Sequence, residues 1–141
     1  MTVGNDRLAA LTPGRVGTVT IVVTDDHTAP RLGSGRAPVF ATPAMVALME
    51  AAAVACVEDQ LDLGQETLGV HIDVEHIAPT PTGLSVTATA ELVERNGRKL
   101  VFKITACDDS EVIGRGTHTR IVVDSARFRS KLEGKRPRST N

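Results

Sequence analysis

The run PAMVALMEAAAVACV, residues 43–57, constrains this chain more than any other stretch. It carries one charge, Glu50, among fifteen residues. Ala, Leu and Met favour a helix, and apolar residues fall on every side of it. The pattern therefore predicts a helix buried all round rather than an amphipathic one. A lone carboxylate in such a helix is costly unless it is paired, hydrogen-bonded or protonated. Two readings of Glu50 follow. It is a reactive carboxylate, or it lies at the helix edge and reaches solvent or a basic partner.

Thr42-Pro43 opens the helix, with Thr suited to the N-cap and Pro to the first turn. The helix should run to about Leu61 and stop before Gly64. Ahead of it, residues 1–12 read as a mobile start and Gly14 to Thr24 as a strand. Residues 28–38, TAPRLGSGRAP, read as a loop placed to cover a pocket. Behind the helix, Thr67 to Ala78 alternates. Val70, Ile72, Val74 and His76 share one face, and His71, Asp73 and Glu75 the other. A Pro- and Gly-rich turn at 79–83 precedes a half-buried strand from Leu84 to Leu92. Asn96-Gly97 signals a hairpin into a strand through Leu100, Phe102, Ile104 and Ala106. A turn at Asp108 to Glu111 leads to the last strand, Val112 to Val123. A short helix at 125–133 and a basic tail, KRPRSTN, close the chain.

This order describes one α+β domain over residues 1–141, with 1–12 and 134–141 flexible. A curved antiparallel sheet wraps around one long central helix. Its edge strands make dimerisation through the sheet plausible.

Composition narrows the function. With three Phe and no Tyr or Trp, stacking of bases on aromatics is disfavoured. A net charge of −1 implies no general attraction to nucleic acid or membrane. Cys56 and Cys107 sit in apolar segments, fit no metal pattern, and read as buried free thiols of a reducing cytoplasm. The start of the chain shows no secretory signal, and the apolar run is too short and too charged to be a membrane span. The expected protein is cytoplasmic, with no nucleic-acid or membrane partner and no metal or cofactor.

The candidate site residues each carry two readings. His76 has the parity of the apolar face, so it is a satisfied core histidine or an acid–base group near neutral pH. Thr42 is a helix cap, or a hydroxyl at a helix N-terminus where developing negative charge is favoured. Gly69 is a turn glycine, or a place where a ligand lies against the backbone. Arg120 shares parity with His118, Gly114 and Gly116 and is a structural ion-pair partner or a ligand contact. Thr42 and Glu50, eight residues apart, stand about 12 Å apart along a straight helix. They cannot hydrogen-bond there, so either residues 42–45 precede the regular helix and fold back, or the working site combines residues from two subunits.

Phe40-Ala41-Thr42, Met45-Val46, Leu48-Met49-Glu50, Leu68-Gly69, Val74-x-His76, Thr80-Pro81-x-Gly83-Leu84 and Gly116-Thr117-His118-x-Arg120, in this order, resemble the fluoroacetyl-coenzyme A thioesterase family over residues 14 to 133. The resemblance implies a homodimeric hotdog fold that hydrolyses short-chain acyl-CoA thioesters, fluoroacetyl-CoA-like ones among them, without a metal. It places catalytic roles on Thr42, Glu50 and His76, and substrate or CoA binding on Gly69 and Arg120. Where fluoroacetate-specific members carry an aromatic lid residue, the loop here reads Gly33-Ser34-Gly35-Arg36, and Ala51 replaces an aromatic after the glutamate. The acyl group is therefore left open. A non-catalytic acyl-CoA-binding hotdog protein is the alternative, and a hotdog hydratase or dehydratase fits the resemblance less well.

Overall fold

The computed structural model describes residues 4–137; the last four residues of the basic tail lie outside them. Five strands, β1 (Val16–Val22), β2 (Gln65–His76), β3 (Ser85–Asn96), β4 (Lys99–Asp108) and β5 (Val112–Asp124), form one antiparallel sheet. Their order is β1-β3-β4-β5-β2, so β1 and β2 are the edges. The hairpin signalled by Asn96-Gly97 joins β3 to β4. This is the hotdog arrangement expected from the sequence, with the central helix held on one face of the sheet.

The helices are α1 (Gly4–Ala9), α2 (Ala29–Leu32), α3 (Thr42–Val57) and α4 (Ser125–Gly134), and a single 3-10 turn, Glu58–Gln60, extends α3. Met45, Leu48, Met49, Ala52, Ala53, Cys56 and Val57 of α3 are buried. They pack with alternate residues of β3 (Val86, Ala88, Ala90, Leu92) and β4 (Leu100, Phe102, Ile104, Ala106) in one core. Each fully buried large side chain there contributes roughly 1.5–3 kcal/mol. The strand period of two sends these residues inward and their neighbours outward.

The structure departs from the sequence reading in several places, among them the segment read as a loop over 28–38, which contains α2. The segment read as a mobile start contains α1, and Leu11 after it is fully buried in the core. The central helix is not enclosed all round within one chain: Pro43, Ala47, Ala51 and Ala55 are exposed, flanked by half-buried Val46, Glu50 and Val54. Cys56 is buried but Cys107 is exposed, because it lies on the outward parity of β4. Val70 is also exposed, at 58%. In β2, Gly69 pairs with Arg120 and His71 with Thr119, so Val70 is the extra residue of a β-bulge. A bulge shifts side-chain parity by one. Ile72, Val74 and His76 therefore keep the inward face, and odd-numbered Thr67 and Gly69 before the bulge share that face with them.

Candidate active site

Thr42 is the first residue of α3. Ala41 holds the capping position, and the helix has no side-chain cap bond. The Thr42 hydroxyl is used elsewhere: its Oγ1 lies 2.8 Å from Nδ1 of His76, at the far end of β2. Burial pushes the His76 pKa below the usual imidazole value, because the charged form loses its hydration. The neutral ring keeps one bare nitrogen. When that nitrogen is Nδ1 it accepts the Thr42 hydroxyl proton. His76 Nε2 is buried and has no hydrogen-bond partner among the described residues. This pair borders a cavity of about 410 Å³ that reaches under the loop after α2.

Glu50 belongs to a second cluster. Nη1 of Arg120 donates to Glu50 Oε2 at 3.1 Å. Arg120 is only 7% exposed and is fixed on β2 by two further bonds, Nε to Thr67 Oγ1 and Nη2 to the Thr67 carbonyl, each 2.9 Å. His118 lies beside it. Its Nδ1 is 2.7 Å from the His71 carbonyl and so carries the proton. Its Nε2, 3.1 Å from Arg120 Nη1, is left as an acceptor. Burial, aided by the neighbouring Arg120 charge, holds the His118 pKa low, in keeping with this neutral tautomer. Gly69 closes the cluster. A methyl carbon there would lie 2.6 Å from Glu50 Oε2 and 3.1 Å from His118 Cε1. A cavity of about 190 Å³ opens beside Glu50, Gly69 and His118.

The five residues singled out from the sequence thus fall into two groups, Thr42 with His76, and Glu50 with Gly69 and Arg120. Among the described residues no hydrogen bond joins the groups. The alternative reading of Glu50 describes its surroundings well: its side chain is 42% exposed and paired to a base. Two members of the second group, Thr67 and His118, were not singled out as site residues. The His118-x-Arg120 alternation places both on one face and was legible. The contact of Thr67 with Arg120 depends on the register between β2 and β5. No cluster of three His, Cys, Asp or Glu among the described residues is placed to hold a metal ion. No described helix is long and apolar enough to cross a membrane.

The profile of the fluoroacetyl-CoA-specific thioesterases matches residues 23–126. The chain belongs to this thioesterase family. As a member it is a thioester hydrolase. A fluoroacetyl-CoA thioesterase of Streptantibioticus cattleyicolor is 46% identical over 99 residues, 70% of this chain and 71% of that protein. A solved structure of the fluoroacetyl-CoA thioesterase FlK superposes with a TM-score of 0.87 at 38% identity, covering 91% of this chain and 99% of that one. A threonine-to-serine mutant of FlK, solved in complex with acetyl-CoA, gives 0.86 at 38% identity, covering 90% and 100%. The family match and the hotdog sheet agree with the fold and activity implied by the sequence.

Proposed function

We propose that this family member is a cytoplasmic homodimer that hydrolyses short acyl-CoA thioesters, with each site built from both subunits. The observation that carries this reading is the division of the site. Thr42 and His76 are bonded at one end of α3, while Glu50, eight residues and about 12 Å further along, sits with Gly69 and Arg120. One residue of each group, His76 and Gly69, lies on the inward face of the same edge strand, β2. A two-fold axis near Ile72 and Asp73 would pair two β2 edges antiparallel and set Gly69 across from His76 of the partner subunit. The uncovered stripe of α3 and the open edge of β2 support such a partner. The two unpaired cysteines suit a reducing compartment.

In this mechanism Glu50, held by Arg120, orients and deprotonates the attacking water through its second oxygen. The backbone at Gly69 lets the thioester lie flat against β2. Water adds to the carbonyl carbon; with His76 Nδ1–H donating to Thr42 Oγ1, the Thr42 hydroxyl proton is free to stabilise the oxyanion together with the helix N-terminus. The C–S bond then breaks. The departing CoA sulfur takes the proton that Glu50 removed from water, passed on by the bare Nε2 of His76, and the acyl group leaves as a carboxylic acid.

A thiol-release assay on a panel of short acyl-CoAs tests this. Thr42→Ala, Glu50→Gln and His76→Ala should each lower kcat by about 10²–10⁴. Mixing Thr42→Ala with Glu50→Gln subunits should restore about a quarter of wild-type activity, since half the dimers are mixed and each holds one intact site. No turnover by folded wild type would sink the substrate reading. Turnover indifferent to all three substitutions would sink the site, and the absence of complementation would sink its sharing.

A further inference from the structure

The larger cavity offers more room than the smallest acyl groups need. At ~30 Å³ per water-sized group, the three heavy atoms of a two-carbon acyl group fill less than about a quarter of its 410 Å³. The residues lining it beside Thr42 and His76 include apolar Ala29, Val39, Phe40 and Ala78, and one permanently charged side chain, the exposed Arg36, contributes to the lining. Arg36 rides on a short tethered loop. The Ala29 N–H donates to the Val39 carbonyl at 3.0 Å, and the Ser34 N–H to the Ala29 carbonyl at 2.9 Å. Arg31, on the same segment, pairs with Asp26, but no described carboxylate lies within ion-pair distance of Arg36.

An open pocket with apolar residues beside Thr42 and His76 and one unmatched guanidinium at its rim suits a ligand of methylenes ending in an anion. We infer that the preferred acyl group ends in a carboxylate, which Arg36 receives while the intervening methylenes lie on Val39 and Ala78. The guanidinium fork matches a carboxylate in a bidentate arrangement that a lysine or a glutamine does not reproduce. The chemistry is anion recognition, and the CoA phosphates are the other source of an anion. The acyl carboxylate is favoured because Arg36 shares its cavity with Thr42 and His76, where the reacting carbonyl is placed. This inference rests on the thioesterase reading and names its substrate class.

The test compares kcat/KM for succinyl-CoA and butyryl-CoA, two four-carbon acyl groups that differ by the terminal carboxylate. It is repeated with the N-acetylcysteamine thioesters of both acids, which lack phosphates. Wild type should favour the succinyl substrate. Arg36→Gln should lower the succinyl-to-butyryl ratio by about tenfold or more in both series, and Arg36→Lys should lower it less. A ratio unmoved by Arg36→Gln overturns the inference. So does an equal loss for both acyl groups confined to the CoA series, which would assign Arg36 to the phosphates. Butyryl-CoA turnover keeps the two readings apart: no turnover of any thioester would mean that the thioesterase reading itself had failed.

Discussion

Gly69→Ala separates catalysis from stability at one atom. The added methyl carbon would stand 2.6 Å from Glu50 Oε2, 3.1 Å from His118 Cε1 and 3.2 Å from Arg120 Nη1. Of these neighbours, Arg120 and His118 are buried and held by Thr67 and by the His71 carbonyl. Glu50 is the mobile one, the end of a flexible side chain that is 42% exposed. The clash should therefore resolve by swinging the carboxylate off Arg120 into solvent. Arg120 is buried but keeps its bonds to Thr67 and His118 when the half-exposed Glu50 leaves, so losing the pair costs about 1 kcal/mol. In a domain of this size that shifts Tm by about 2–4 °C. Displacement of a reacting carboxylate by an ångström or more costs about a hundredfold in rate. Thiol-release kinetics and thermal unfolding on the same preparation should thus show kcat falling about a hundredfold while Tm scarcely moves. Wild-type kcat in Gly69→Ala would refute the role given to Glu50 and its contact with Gly69. A Tm loss beyond ~10 °C would refute the argument that Glu50 is the group that yields.

Three further outcomes follow from the structure. The His76 pKa is depressed in the folded protein, so the unfolded chain binds the extra proton below the ordinary imidazole value of about 6.5. The stability gained by keeping His76 neutral should be fully present above that pH and be lost as the pH falls below it. Likewise kcat/KM should rise to a plateau with a midpoint below 6.5, and a midpoint above 7 would contradict a neutral, buried His76. At Gly116, an added Cβ would strike the Asp73 carbonyl and Val74 Cα on the neighbouring strand. Backbone cannot swing aside as a carboxylate can, so Gly116→Ala should cost about 3 kcal/mol or more, and unchanged denaturant midpoints would overturn that.

Much of the architecture was legible because it is written in local periodicity. The two-residue alternation of Val86, Ala88, Ala90 and Leu92 named a strand and its inner face. The dense apolar run from Pro43 to Val57 named the central helix. Family motifs then pointed to Thr42, Glu50, His76, Gly69 and Arg120. Less legible were features set by what lies across from each residue. Counting alternation straight through β2 put Val70 on the inner face, and one bulge moved it out. A bulge leaves little trace in a period-two pattern when the residues on both sides are apolar. Thr42 has the chemistry of a helix cap, yet its hydroxyl bonds His76, thirty-four residues away.

The sequence by itself determined the elements, their order and the residue types available for chemistry, since these depend on backbone preference and on hydrophobic spacing within a few residues. Only the tertiary structure decided how those residues are grouped. The register of β2 against β5 sets Gly69 opposite Arg120, and Arg120 holds Glu50. Along α3, helical rise keeps Thr42 away from Glu50. Contacts between residues far apart in the chain depend on strand register, and a single inserted residue in β2 changes which side chains share a face.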